Sequence, residues 1–154
     1  MLNLYEELKT IITALAAHRI EYAICGGLAV SIHTEPRATQ DIDMLVLASD
    51  LPACQDAVRG LGFTKFGEPM RLASGAVQLQ RLVKPEPGGE DLVMLDLLLV
   101  DSPQLTDVWA TREAFEWEGQ RVWVVSRQGL VALKQLRGSP QDLADIARLE
   151  RTDL

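Results

Sequence analysis

Apolar residues recur at helical spacing near both ends of the chain. The first such pattern predicts an amphipathic helix over about residues 3–18. Its apolar positions are Leu4, Leu8, Ile11, Ile12 and Leu15. Near the other end, Ser126 is a predicted N-cap for a helix that stops at Gly138. Ser139 caps a second helix, with Pro140 in its first turn, where the missing N–H costs nothing.

Between these helices the chain alternates short apolar runs with glycine and proline. The runs predict strands over residues 21–25, 42–47, 63–66, 70–72, 77–83, 92–100, 115–117 and 121–125, with short helices over 28–33 and 51–61. Residues 92–100 are apolar apart from Asp96, which predicts a central strand covered on both faces. Glu118-Gly119 reads as the turn of a hairpin.

Helices combined with a sheet that contains both hairpins and crossovers indicate the α/β (α+β) class, a mixed β-sheet flanked by helices. The length of 154 residues predicts a single domain over residues 1–154. We expect its core over about residues 20–125 and a C-terminal helical pair over about 126–150.

Composition narrows the classes of function. A net charge of −7 excludes a broad basic surface, and generic coating of nucleic acid depends on many Lys/Arg–phosphate contacts. No apolar run approaches the roughly 18–20 residues of a membrane helix, so we expect no membrane partner and a cytoplasmic location. Cys25 and Cys54 form no C-x-x-C pair and lie in apolar surroundings, which argues against a zinc site.

Three aspartates in apolar strand segments are the main candidates for chemistry. Asp41 and Asp43 lie two apart on one strand, which puts both on one face about 6.6 Å apart. At an effective dielectric near 20 they would repel by roughly 2.5 kcal/mol. If the strand that holds Asp96 is adjacent, three carboxylates converge, and their oxygens favour a hard cation such as Mg²⁺. The alternative is a pair of exposed turn residues and a hydrogen-bonded Asp96.

Gly26 and Gly27 stand between a strand and a helix. Backbone amides at a helix N-terminus bind phosphate readily, so the pair could form a phosphate cradle beside the carboxylates. The alternative is a tight turn that needs only a positive φ.

The order of these features resembles a known superfamily. Its opening motif is similar to YAICGGLAVSIHTEPRATQDIDMLV, in which a strand, two glycines and a short helix precede Asp-x-Asp on the next strand. This is the pattern of the DNA polymerase β-like nucleotidyltransferases. The Arg-x-Thr-x-Asp-Ile-Asp form looks closest to the small nucleotidyltransferase toxins of abortive-infection toxin–antitoxin systems. LVMLDLLLV matches their third-carboxylate strand, and ALKQLRGSPQDLADIARL matches their closing helical pair.

The resemblance implies metal-ligating and catalytic roles for the aspartates. Asp41 and Asp43 would bridge two Mg²⁺ or Mn²⁺ ions, and Asp96 would hold the ion that activates the attacking hydroxyl. Gly26 and Gly27 would hold the triphosphate of a nucleotide such as ATP.

Four further residues are implied as nucleotide-binding or supporting. Arg37 would contact phosphate or the acceptor, and the alternative is a solvated loop arginine. Thr39 is expected to order the loop before the strand. Lys134 would face the triphosphate, and Asp142 would come from the following helix, or act only as a first-turn acid favoured by the helix dipole. Asp145 is expected to be solvated or paired with a nearby arginine.

The function implied is transfer of a nucleoside monophosphate from a nucleoside triphosphate to a hydroxyl on a tRNA, a protein or a small molecule. A toxin-like role with an antitoxin partner follows from the resemblance only. The alternatives are a non-catalytic nucleotide- or partner-binding module of the same fold, and a structural domain whose carboxylates are solvated.

Overall fold

The computed structural model describes residues 3–34, 41–86, 88–89 and 91–151. Arg37 and Thr39 lie outside the described residues. The helices are α1 (Leu4–Ala17), α2 (Gly26–His33), α3 (Leu51–Arg59), α4 (Pro103–Ala110), α5 (Arg127–Arg137) and α6 (Pro140–Arg151). The strands are β1 (Ala23–Cys25), β2 (Asp41–Leu47), β3 (Thr64–Lys65), β4 (Met70–Leu72), β5 (Val77–Pro85), β6 (Leu92–Val100), β7 (Glu113–Trp117) and β8 (Gln120–Val124).

The strands of the described part form one mixed sheet, which confirms the predicted class. Its order is β3-β5-β6-β2-β1-β8-β7, and β4 also pairs with β5. The β2/β6 and β1/β8 pairs are parallel, and the other pairs are antiparallel. The two strands predicted to carry the aspartates, β2 and β6, are therefore direct neighbours near the middle of the sheet.

Helices cover both faces of the sheet. On one face α1 contacts α3, and Lys84 Nζ on β5 binds the Glu7 carboxylate of α1 at 3.1 Å. On the other face α5 packs beside the sheet and contacts α2, α4 and α6. The central strands bury their apolar side chains completely, as at Ile42, Met44 and Leu95. Each such side chain contributes about 1.5–3 kcal/mol relative to full exposure.

Two helices differ from the sequence prediction. Helix α2 begins at Gly26 rather than at residue 28, so both glycines belong to its first turn. Helix α4 was not predicted, although its start carries a recognisable signal. Ser102 is its N-cap, accepting a hydrogen bond from the backbone N–H of Leu105 at 3.4 Å, and Pro103 follows at the first helical position.

The C-terminal helical pair follows the predicted caps. The Ser126 hydroxyl accepts a hydrogen bond from the backbone N–H of Gly129 at 3.0 Å. Gly138 ends α5 in the left-handed conformation, with φ of 67°. Ser139 and Asp142 then form a reciprocal capping box: the Asp142 amide donates to Ser139 Oγ, and the Ser139 amide donates to Asp142 Oδ2, each at 3.1 Å. None of the described helices combines the length and apolarity that a membrane span requires.

Candidate active site

One row of side chains crosses four neighbouring strands. The pairing register joins Arg81 of β5 to Asp96 of β6, Asp96 to Asp43 of β2, and Asp43 to Cys25 of β1. Because directly paired residues lie on the same face of a sheet, all four belong to one face. Asp41 lies two positions before Asp43 and shares that face. The strand adjacency that the aspartate hypothesis required is therefore present.

Gly26 lies against the Asp43 carboxylate. Its φ is +66°, in the left-handed region that favours glycine. A Cβ built on Gly26 would overlap Asp43 Oδ2 and come within 2.8 Å of its Cγ. The first residue of α2 must therefore be glycine for two reasons, its conformation and the space that the carboxylate takes. The sequence predicted a conformational or phosphate-binding role for this residue, and the close approach to Asp43 is additional.

The aspartates raise one another's pKa values. Burial raises the pKa of Asp43 to about 7, with further contributions from the negative charges of Asp96 and Asp41. Burial also raises the pKa of Asp41, and the charge of Asp96 adds to the effect. Burial raises the pKa of the Cys25 thiol well above its ordinary value, so this buried cysteine stays neutral. Burial is therefore the largest cause of the raised pKa values in this row, and the negative charges of the neighbouring aspartates add to it.

Arg81 is a functional candidate that the sequence reasoning missed. Its Nε donates to Asp96 Oδ1 at 2.8 Å, and its Nη2 donates to Asp96 Oδ2 at 3.0 Å. No Lys or Arg lies near Asp96 along the chain, between residues 85 and 100. Arg81 comes from the neighbouring antiparallel strand. The one signal for it in the sequence is that it is the charged residue in segment 77–83, whose other residues are apolar or glutamine. The third carboxylate is thus held by a bidentate ion pair.

Lys134 lies in a buried cluster with two acids of α6. Its Nζ is 2.9 Å from Asp145 Oδ2 and 3.6 Å from Asp142 Oδ1. All three residues are buried, and Asp145 has no exposed surface. The expectation that Asp145 is solvated is wrong, because its side chain is fully buried and Lys134, eleven residues earlier in the chain, contacts it across the α5–α6 turn. Gln141 Nε2 also donates to Asp145 Oδ1 at 3.1 Å.

Asp142 combines a capping role with this cluster. Burial alone would raise its pKa, but hydrogen bonds from the Ser139 hydroxyl and backbone and the charges of Arg137 and Lys134 outweigh burial and lower it. Asp142 is therefore a first-turn acid of α6 that also contacts the lysine of α5, and its role in a nucleotide site stays a prediction.

A small pocket, with a cavity volume of about 30 Å³, opens between Asp43 and α5. Gly26 and Asp43 line it from the sheet side, and Lys134 and Arg137 line it from α5. Arg137 is half exposed, and its Nε lies 3.9 Å from Asp142 Oδ2. The sequence reasoning did not select Arg137, which follows Lys134 by one helical turn and so lies on the same helix face. The pocket thus places the Asp43 carboxylate together with a cation that solvent can reach.

A comparison of the chain with known protein families shows which family it belongs to. Residues 1–151 match the family described as "Nucleotidyltransferase of unknown function (DUF6036)". The chain belongs to this nucleotidyltransferase family. No curated protein matches it. The predicted superfamily is thereby confirmed at the level of nucleotidyltransferases, whereas closeness to the toxins of toxin–antitoxin systems stays a prediction.

Solved structures show the same fold for this nucleotidyltransferase. The lincosamide antibiotic adenylyltransferase LnuA, in its lincomycin-bound structure, is 16% identical with a TM-score of 0.64, over 94% of this chain and 95% of that one. ANT(2″)-Ia in complex with adenylyl-2″-tobramycin is 14% identical with a TM-score of 0.65, over 96% of this chain and 87% of that one. At these identities the likeness establishes the nucleotidyltransferase fold.

Asp41 and Asp43 are the carboxylates of the row that could hold a metal ion in this nucleotidyltransferase. Within the described residues, no group of three or more His, Cys, Asp or Glu side chains is arranged to hold a metal ion. The Asp96 oxygens both accept hydrogen bonds from Arg81. Two carboxylates still suit Mg²⁺, which commonly uses one or two together with waters and substrate phosphates. Burial, and then the charge of Asp96, raises the pKa values of both carboxylates, and the charge of a bound cation would act in the opposite direction.

Proposed function

We propose that this chain transfers a nucleoside monophosphate from a nucleoside triphosphate to a hydroxyl group of a small molecule, with Mg²⁺ as its cofactor. A hydroxyl oxygen of the acceptor forms the new bond to the α-phosphorus. The bond from that phosphorus to the bridging oxygen breaks, the hydroxyl proton is released, and pyrophosphate leaves. The observation that carries the proposal is the in-register pairing of Asp43 with Asp96 directly beside Gly26, at the start of α2.

The three carboxylates have different roles in the proposed reaction. Asp41 and Asp43 would hold Mg²⁺, whose chemistry is to polarise the transferred phosphoryl group and to neutralise charge on the leaving pyrophosphate. Asp96, fixed by Arg81, would help to orient the acceptor hydroxyl. The backbone amides at the start of α2, after Gly26 and Gly27, would bind triphosphate oxygens. The rate gain would come mainly from positioning and charge stabilisation.

Two basic side chains of α5 take different parts in the proposal. Arg137 reaches the pocket, is half exposed and faces Asp43, so it would bind the triphosphate and the leaving pyrophosphate. Lys134 also lines the pocket, but its charge is balanced by two buried acids. Lys134 would therefore contribute by fixing α6 against α5 and by a longer-range charge on the nucleotide. Roles for Arg37 and Thr39 stay predictions.

A small-molecule acceptor is favoured over tRNA on charge. A net charge of −7 opposes a polyanion, whose binding requires many cationic contacts. Of the similar structures, one is of a lincosamide antibiotic adenylyltransferase bound to lincomycin, and another is of ANT(2″)-Ia in complex with adenylyl-2″-tobramycin. Transfer to tRNA or protein, and a toxin-like role with an antitoxin, are the other outcomes that the test separates.

The test measures which class of molecule receives the nucleoside monophosphate. Each nucleoside triphosphate, labelled at the α-phosphate, is incubated with the protein, Mg²⁺ and separated pools of small molecules, RNA and protein. We expect label in the small-molecule pool, with pyrophosphate released in equal amount. Asp43→Asn should abolish transfer, whereas Asp107→Asn, an exposed acid on α4, should leave it unchanged. Label in RNA or in protein would show that the acceptor is that macromolecule and not a small molecule. Absence of label in every pool would favour the non-catalytic binding module.

A further inference from the structure

We propose that Arg81 is a built-in counter-ion for the third carboxylate, so that the resting site binds one divalent cation and not two. The inference rests on the proposed metal-dependent function and concerns its stoichiometry. Three carboxylates on neighbouring strands would ordinarily supply ligands for two cations, and Asp96 would be a ligand of the second cation. Here a side chain of the chain itself holds Asp96.

The geometry of the Arg81–Asp96 pair carries the inference. The two hydrogen bonds, at 2.8 and 3.0 Å, run in parallel from one planar guanidinium to the two oxygens of one carboxylate. Asp96 is only 5% exposed, and it lies in the middle of the sheet. Arg81 is the cross-strand partner of Asp96 in the β5/β6 register. The backbone pairing itself therefore presents the guanidinium to this carboxylate.

The charge of Arg81 acts on the whole row. Its own pKa is raised by the hydrogen bond to Asp96 and by the charges of Asp96, Asp41 and Asp43, against an opposing effect of burial. In turn its charge works to lower the pKa of Asp41. Arg81 is thus placed to offset part of the repulsion among the three acids while no metal ion is bound.

Two consequences follow for cation binding. Both Asp96 oxygens already accept hydrogen bonds from Arg81, which weakens their ability to ligate a cation. A cation placed beside Asp96 would also meet the unit charge of the guanidinium. Lysine could not reproduce the arrangement, because an ammonium is a point charge without the two-pronged geometry of arginine. The first cation, on Asp41 and Asp43, remains compatible with the pair.

The experiment counts bound cations with Mn²⁺ as the probe, without nucleotide, by titration calorimetry and electron paramagnetic resonance. We expect one Mn²⁺ on the wild-type chain. Arg81→Met should bind a second Mn²⁺, or bind the first about tenfold more tightly, the order of effect of a unit charge roughly 10 Å from a divalent cation at intermediate dielectric. The matched control is Arg71→Met, an exposed arginine on β4, which should behave as wild type. Two ions on the wild type, none on any variant, or equal binding by wild type and Arg81→Met would overturn the inference.

A second comparison applies even if Arg81→Met does not fold, since that variant leaves Asp96 buried without its partner. Asp96→Asn keeps the guanidinium without its carboxylate, and the double variant Arg81→Met/Asp96→Asn removes both. We expect Asp96→Asn to bind Mn²⁺ about tenfold more weakly than the double variant. Equal affinities would overturn the inference. Nucleotide transfer is measured separately, so a chain that binds Mn²⁺ in this pattern but transfers nothing refutes the proposed function alone.

Discussion

The Asp43 carboxylate occupies the space that a side chain on Gly26 would need. A Cβ there would lie 2.8 Å from Asp43 Cγ and closer still to Oδ2. The relationship links the backbone turn between β1 and α2 to a carboxylate on β2. It explains why the same glycine serves both the turn and the site, since no other residue leaves the acid in place.

Gly26→Ala should therefore damage both stability and metal binding. We expect a loss of about 2–4 kcal/mol in the free energy of unfolding, the sum of a positive-φ penalty and crowding against Asp43. The matched control is Gly119→Ala in the β7/β8 turn, which has φ of 75° and open space around it. It should lose only about 1 kcal/mol. Urea denaturation measures the free energy of unfolding of the two variants. Equal losses would show that the Asp43 side chain moves away from the new Cβ without a loss of stability.

The metal-free protein should be more stable at pH 6 than at pH 8. The pKa of Asp43 is about 7 in the folded chain, against about 3.9 for an unfolded aspartate. Between these values the folded state binds more protons, so stability falls as pH rises through this interval. One such group gives a difference of about 1 kcal/mol between pH 6 and pH 8. The raised pKa of Asp41 acts in the same direction.

The pH effect is checked by urea denaturation in the presence of a chelator. Asp43→Asn should remove most of the difference, because the amide has no proton to lose. Asp107→Asn should keep it. A stability that rises from pH 6 to pH 8 in the wild type would contradict the raised pKa of the buried Asp43 carboxyl.

Lys134→Met should destabilise the helical pair. It leaves Asp145, which is fully buried, without the ammonium 2.9 Å away, and loss of one partner of a buried ion pair commonly costs about 3–5 kcal/mol. Lys65→Met, at an exposed lysine of β3, is the control and should change stability by less than about 0.5 kcal/mol. The double variant Lys134→Met/Asp145→Leu should recover most of the loss. If it does not, the cluster stabilises α6 by contacts other than charge.

Much of the fold could be predicted because its signals are local. Apolar runs predicted the strands, and serine and glycine caps predicted α5 and α6, where each signal lies within a few residues of its effect. Helix α4 escaped prediction because its apolar periodicity is short, although Ser102 and Pro103 marked its start.

The site could be predicted only in part, because its decisive contacts cross strands and helices. The aspartates were found from their unusual place in apolar strands. Arg81 was missed because its contact with Asp96 depends on the β5/β6 register, which local patterns do not determine. The Lys134–Asp145 pair was missed for the same kind of reason, since the angle between α5 and α6 decides which acid meets the lysine.

Arg137→Ala should weaken nucleotide binding with little effect on folding. The side chain is half exposed, lines the pocket with Asp43 and approaches Asp142 only at 3.9 Å, so its removal leaves no buried charge unpaired. We expect KM for the nucleoside triphosphate to rise about tenfold, the range of one charge-assisted phosphate contact of roughly 1.5 kcal/mol. Arg59→Ala, at an exposed arginine of α3, is the control and should leave KM unchanged. Steady-state kinetics with thermal denaturation separates the two effects. An unchanged KM in a folded Arg137→Ala would return the phosphate-binding role to Lys134, despite the two acids that hold its charge.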